Sequence, residues 1–95
     1  MTRILKYPVE MSERGVICLP NGSRVLSVAR QGATLVMYAI VNEQPGFPAP
    51  EKVITRVFGT GHPISEHGLD GAKFMGTFSF HDGRFMCHVF IEEYA

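Results

Sequence analysis

The feature that most constrains this chain is a run near its middle: after Thr34 come Leu35, Val36, Met37, Tyr38, Ala39, Ile40 and Val41 with no polar residue among them. The run has strand length and is β-branched or aromatic at four of seven positions, so it reads as a strand rather than a helix. Side chains of a strand alternate between faces, so this strand must be covered on both sides. In an antiparallel protein that leaves three settings: the centre of a sandwich, the wall of a barrel, or a surface buried by another subunit. Helical periodicity is absent elsewhere in the 95 residues.

Other segments fit the same scheme. Thr2 to Tyr7 is a strand closed by Pro8, whose missing amide hydrogen suits a strand end or sheet edge. Gly15 to Leu19, the turn cluster Pro20-Asn21-Gly22-Ser23, and Arg24 to Arg30 read as a hairpin. Gln31, Gly32 and Ala33 lead into the central run. Lys52 to Phe58 alternates, with Val53, Thr55 and Val57 on one face and Ile54, Arg56 and Phe58 on the other. A last hairpin joins Phe74–Phe80 to Arg84–Glu92 through His81, Asp82 and Gly83; the side bearing Phe74, Gly76, Phe78 and Phe80 is expected to face the core.

The expected fold is one all-β domain over residues 1–95: an antiparallel sandwich or small open barrel of six to seven strands, with no substantial helix. Two strands carry apolar residues on both faces, which a chain this short has difficulty covering alone, so a homo-oligomer is expected, with Met37, Tyr38, Met86 and Phe90 or the opposite faces at its contacts. Nine basic residues balance nine acidic ones, which removes the footprint of a general nucleic-acid binder and of a membrane-surface protein. The apolar runs are too short to cross a bilayer. Two distant cysteines and no leader pattern point to a reducing, cytoplasmic setting, with Cys18 and Cys87 read as buried thiols.

Two connections are long. Asn42 to Glu51 holds three prolines and Phe47; it is either a crossing between sheets or an arm whose aromatic caps a pocket, a neighbouring subunit or one end of the core. Gly59 to Lys73 opens with the most distinctive string in the chain, Val57-Phe58-Gly59-Thr60-Gly61-His62-Pro63-Ile64. Glycines flanking Thr60 allow successive amides to converge on an anion, with Thr60 and His62 adding side-chain donors and Arg56 within reach; the plain alternative is a sharp turn out of a strand. Arg56, Phe58, Gly59, Thr60, Gly61 and His62 are therefore the candidate ligand-binding residues. His62, Glu66, His67 and Asp70 lack any recognised metal-ligand spacing, so neither a metal nor another cofactor is expected. Ser65 with His62 or His67 is the weak nucleophile-base pairing; Cys87 and His88, adjacent on a strand, point apart. Without a nucleophile elbow or paired carboxylates, a binding protein is favoured over an enzyme.

The ordered set Ile4-Leu5-Lys6-Tyr7-Pro8-Val9, Leu19-Pro20-x-Gly22, Val25-Leu26-Ser27-Val28, Leu35 to Val41, Phe58-Gly59-Thr60-Gly61-His62-Pro63-Ile64, Met75-Gly76-Thr77-Phe78 and His88-Val89-Phe90 resembles a family of small, largely uncharacterised proteins encoded by bacteriophages and prophages. The chain departs from that pattern in having Met37 and Tyr38 where the family carries tryptophan, and in a longer insertion from Glu66 to Lys73. The resemblance implies phage origin and an all-β fold, without catalytic residues. A looser likeness to the β portion of oligomeric phage anti-defence proteins implies sequestration of a nucleotide-derived signal, with phosphate and ribose contacts at Arg56 and the Gly59–Ile64 loop. The alternative is a protein-interaction or structural phage component with no small ligand.

Overall fold

The computed structural model describes residues 2–42 and 51–94, with the side chain of residue 94 outside the description. Seven strands account for the regular structure: β1 (Thr2–Val9), β2 (Gly15–Leu19), β3 (Arg24–Gln31), β4 (Thr34–Asn42), β5 (Glu51–Gly59), β6 (Lys73–Phe80) and β7 (Phe85–Tyr94). They form two antiparallel sheets, ordered β1-β4-β3 and β2-β5-β7-β6. No strand is shared between the sheets, so the fold is the expected sandwich rather than an open barrel. The expected arm around Phe47 falls at residues 43–50 and lies outside the described residues.

The core is the layer between the sheets. From the three-stranded sheet come Val9, Val28, Leu35, Met37, Ala39 and Val41; from the other come Leu19, Val53, Val57, Phe80, Cys87, Val89 and Ile91. The register explains the membership. Leu35 opposes Val9 and Met37 opposes Val28, while Val57 opposes Val89 and Thr55 opposes Ile91, so each inward column is continuous across its sheet. At one side of the sandwich Arg30 joins the layers: its guanidinium lies over the Phe80 ring at 5.2 Å and donates to the Ser79 carbonyl at 2.8 Å.

Three local readings change in three dimensions. The Pro20–Ser23 segment does turn, with Ser23 N–H donating to the Pro20 carbonyl at 3.2 Å and Gly22 at φ 84°. The strands it joins are nevertheless not a hairpin: β2 pairs with β5 and β3 with β4, so the turn carries the chain from one sheet to the other. Turn chemistry reverses the chain but does not choose its hydrogen-bond partner; here the turn is tied to β5 instead, through Gly22 N–H donating to the Glu51 carboxylate at 3.0 Å. Pro8 does not end the first strand either, because β1 is a sheet edge and a proline there loses no ladder bond.

The third change is in β6. A bulge lies between Phe74 and Gly76: Phe74 opposes Phe90 and Gly76 opposes Val89, leaving Met75 as the extra residue. Phe78 and Phe80 face the core as expected, but Phe74 is turned to the outer face, 55% exposed, and Met75 packs inward in its place. Gly76 at φ 143° supplies a backbone angle that side-chain-bearing residues rarely adopt.

A loop-covered face on the four-stranded sheet as candidate functional site

The outward residues of β5 are Ile54, Arg56 and Phe58, which oppose Glu92, Phe90 and His88 of β7. These positions lie outside the sandwich core, yet Ile54 and Phe58 are almost wholly buried. The segment leaving β5 folds back over Arg56 and Phe58. Its turns are closed by Gly68 N–H to the Ser65 carbonyl, Asp70 N–H to His67 and Ala72 N–H to Leu69.

Arg56 is the pin. Its Nη1 donates to the Gly68 carbonyl at 2.8 Å, its Nε donates to the Glu13 carbonyl, and Glu92 lies 4.0 Å from Nη1. The guanidinium also lies over the Phe58 ring at 5.4 Å. His62 closes the other end: its Nε2 hydrogen-bonds the Glu13 carboxylate, and its ring meets Phe58 edge-on at 5.5 Å. The β1–β2 connection, the outer face of β5 and the glycine loop are thus fastened together by two side chains.

The amides of the glycine string also work within the fold. Thr60 N–H donates to the Met86 carbonyl at 3.2 Å, and His62 N–H donates to the Gly59 carbonyl at 3.1 Å. Gly61 takes φ 86°, whereas Gly59 serves a close approach, since a Cβ there would come within 3.2 Å of the Phe85 ring. Arg56, Phe58 and His62 are brought together, but as the clamp of the loop. Thr60 points a different way, toward β7.

There the hydroxyl of Thr60 lies 2.8 Å from His88 Nε2, and His88 Nδ1 lies 2.9 Å from the Thr77 hydroxyl. Hydroxyls both donate and accept, so the three residues form a hydrogen-bonded polar row from the end of β5 across β7 to β6. Beside it runs an aromatic row: Phe74 to Phe90 at 5.4 Å, Phe90 to Phe58 at 6.5 Å, Phe58 to His62 at 5.5 Å. The covered half of the sheet ends at Phe58; on the open half Phe74 and Met86 stand exposed.

The remaining candidates separate. His67 Nδ1 pairs with Asp70 at 2.9 Å. Cys87 is buried in the core while His88 faces outward, the opposed placement that adjacent strand positions imply. Burial pushes the Cys87 thiol pKa above its ordinary value of 9.0. Cys18 corrects the reading of two buried thiols: it is exposed, because outward positions on the edge strand β2 have nothing packed over them. Among the described residues no three His, Cys, Asp or Glu side chains gather as a metal site. Glu13 and Thr77 carry no sequence signal of a site, Phe74 is expected in the core, and His88 enters the sequence reading of sites only as pointing away from Cys87; their roles depend on a register and a bulge that no local pattern encodes.

These features define a class: a seven-stranded, two-sheet antiparallel sandwich with one outer face partly roofed by its own loop. The chain belongs to the family described as a domain of unknown function, DUF7352, whose model matches residues 1–95. No curated protein and no solved structure matches it. No helix among the described residues is long and apolar enough to cross a membrane.

Proposed function

We propose that this protein is a non-catalytic binding protein of phage or prophage origin that holds a small, planar, nucleotide-like ligand on the open half of the four-stranded sheet. One observation carries the reading: the bulge sets an exposed aromatic, Phe74, on the same face as the polar row Thr60–His88–Thr77. An aromatic platform stacks a base irrespective of its identity, and hydroxyl and imidazole groups match the alternating donors and acceptors of a sugar. The glycine loop then acts as the wall that presents Thr60, with Arg56 and His62 holding that wall in place. In an infected bacterial cytoplasm such a protein, assembled as a homo-oligomer, would withdraw a nucleotide-derived anionic signal from a defence pathway.

The test is calorimetry with a panel of cyclic nucleotides and ADP-ribose derivatives. Binding of one of them, weakened at least tenfold by Phe74→Ala and by Thr60→Val, supports the reading; absence of heat for the whole panel refutes it. A second reading, docking of a host protein on the same face, is favoured by the joint exposure of Phe74 and Met86. It requires that Met86→Glu abolish partner capture while Thr60→Val does not.

A further inference from the structure

The opposite face of the sandwich carries a separate feature. The outward column of β4 is Val36, Tyr38 and Ile40, flanked by Pro8, Lys6 and Ile4 of β1 and by Ala29, Ser27 and Arg24 of β3. Lys6 crosses this column: its Nζ donates to the Gln31 side chain on the far strand at 2.8 Å, so its stem lies over Val36, which is 5% exposed. Beyond that strap the face is open and apolar. Ile4 is 61% exposed, and Tyr38 and Ile40 are half-buried.

Among the described residues, the charges at the paired outward positions of this face have one sign. The paired outward positions of β1, β3 and β4 carry Lys6 and Arg24 and no carboxylate. Lys6 is bonded to a neutral amide, and Arg24 forms no ion pair among the described residues. A chain with equal numbers of acidic and basic residues has here, among its described residues, an apolar patch bordered by Lys6 and Arg24.

We infer that the outer face of the β1-β4-β3 sheet docks a protein segment with an apolar centre and acidic flanks. Electrostatic complementarity selects that partner over a second copy of the chain, since the paired positions of this face in a second copy would offer Lys6 and Arg24 no carboxylate. A nucleic acid is disfavoured because two cations cannot supply the phosphate contacts it needs and most of the patch is aliphatic. Three strands at ~4.8 Å spacing and eight residues at ~3.3 Å rise give a face of roughly 26 by 14 Å. Contact of that size falls at the small end of interfaces and implies a transient complex, tuned by salt.

The experiment is selection of a displayed random-peptide library on the immobilised full chain. The expected result is enrichment of peptides with apolar centres flanked by Asp or Glu. A synthetic peptide of the enriched sequence should bind Arg24→Glu at least tenfold more weakly, regain affinity for that variant when its acids are changed to Lys, and bind Phe74→Ala as it binds the unaltered chain. Ile4→Ser, at an exposed position that folding does not need, should weaken binding as well. Enrichment without acidic residues, an affinity indifferent to Arg24→Glu and Ile4→Ser, or concentration-dependent self-association that Ile4→Ser abolishes would each overturn the inference. Because the two faces are opposite, failure here leaves the nucleotide reading untouched, and loss of nucleotide binding leaves this one untouched.

Discussion

Gly15 and Thr55 face each other across the β2–β5 ladder, and their contact gives a prediction whose sign is a contest between two effects. A Cβ built on Gly15 would lie 2.6 Å from the Thr55 hydroxyl and 3.3 Å from both Cβ and Oε2 of Glu10. Gly15 is not among the positive-φ glycines, so alanine there meets no backbone strain and restricts the unfolded chain, a gain of roughly 0.5–1 kcal/mol. Against this stands an overlap of about 1 Å with a side chain only 1% exposed, and overpacking of that kind costs roughly 1–3 kcal/mol. The overlap wins, and Gly15→Ala should destabilise by about 1–2 kcal/mol. The Thr55 hydroxyl is itself buried without a hydrogen-bond partner, so Thr55→Val should be neutral or stabilising by up to ~1 kcal/mol while leaving the clash in place. Thr55→Ala removes the clashing atom, so the double variant Gly15→Ala/Thr55→Ala should show a favourable coupling of at least ~1 kcal/mol. Urea unfolding followed by circular dichroism reads these values, since ~1–2 kcal/mol moves the midpoint by about 0.5–1.5 M for a domain of this size. Stability of Gly15→Ala equal to that of the unaltered chain, or strict additivity in the double variant, would refute the packing argument.

Other expectations concern the thiols and the loop clamp. With a thiol reagent at neutral pH the native chain should label one cysteine, Cys18, and in denaturant two; fast labelling of Cys87 in the native state would contradict its burial. Since folding raises the Cys87 pKa, the unfolded chain releases that proton first: stability is intact below the ordinary value of 9.0 and declines as pH rises through the folded value. The decline should be smaller in Cys87→Ala, as read from urea midpoints at pH 8 and 10. Arg56→Met keeps an unbranched apolar side chain but loses the bonds to the Gly68 and Glu13 carbonyls and the guanidinium stacked on Phe58. It should cost about 2–3 kcal/mol and raise amide exchange across residues 60–72 more than in the core strands; uniform exchange would show that Arg56 does not hold the loop.

What the sequence determined by itself was set by short-range rules. The alternation of Val53, Thr55 and Val57 with Ile54, Arg56 and Phe58 marked the two faces of β5, the doubly apolar run marked β4 as a strand with both faces apolar, and the Asp82-Gly83 turn marked the β6–β7 hairpin. Each is a consequence of side-chain period and local φ, which neighbouring residues encode without reference to the rest of the chain. Only the tertiary structure decided which strand each of these would meet. The Pro20–Ser23 turn is compatible with a hairpin or a crossing, and the choice came from β5, about thirty residues on, whose ladder β2 joins. Phe74 would have stayed inward had the β6 ladder kept register; a single extra residue, Met75, reversed it, with Gly76 supplying the backbone angle. The same holds for the glycine string, where local flexibility permitted an anion cradle or a turn. Glu13, Met86 and His88, distant in sequence, took up the groups of His62 and Thr60 and made it the edge of a roof over Phe58. Pattern specifies which side of a strand is apolar, but what covers that side is a long-range contact, and such contacts exist only once the sheets have closed on one another.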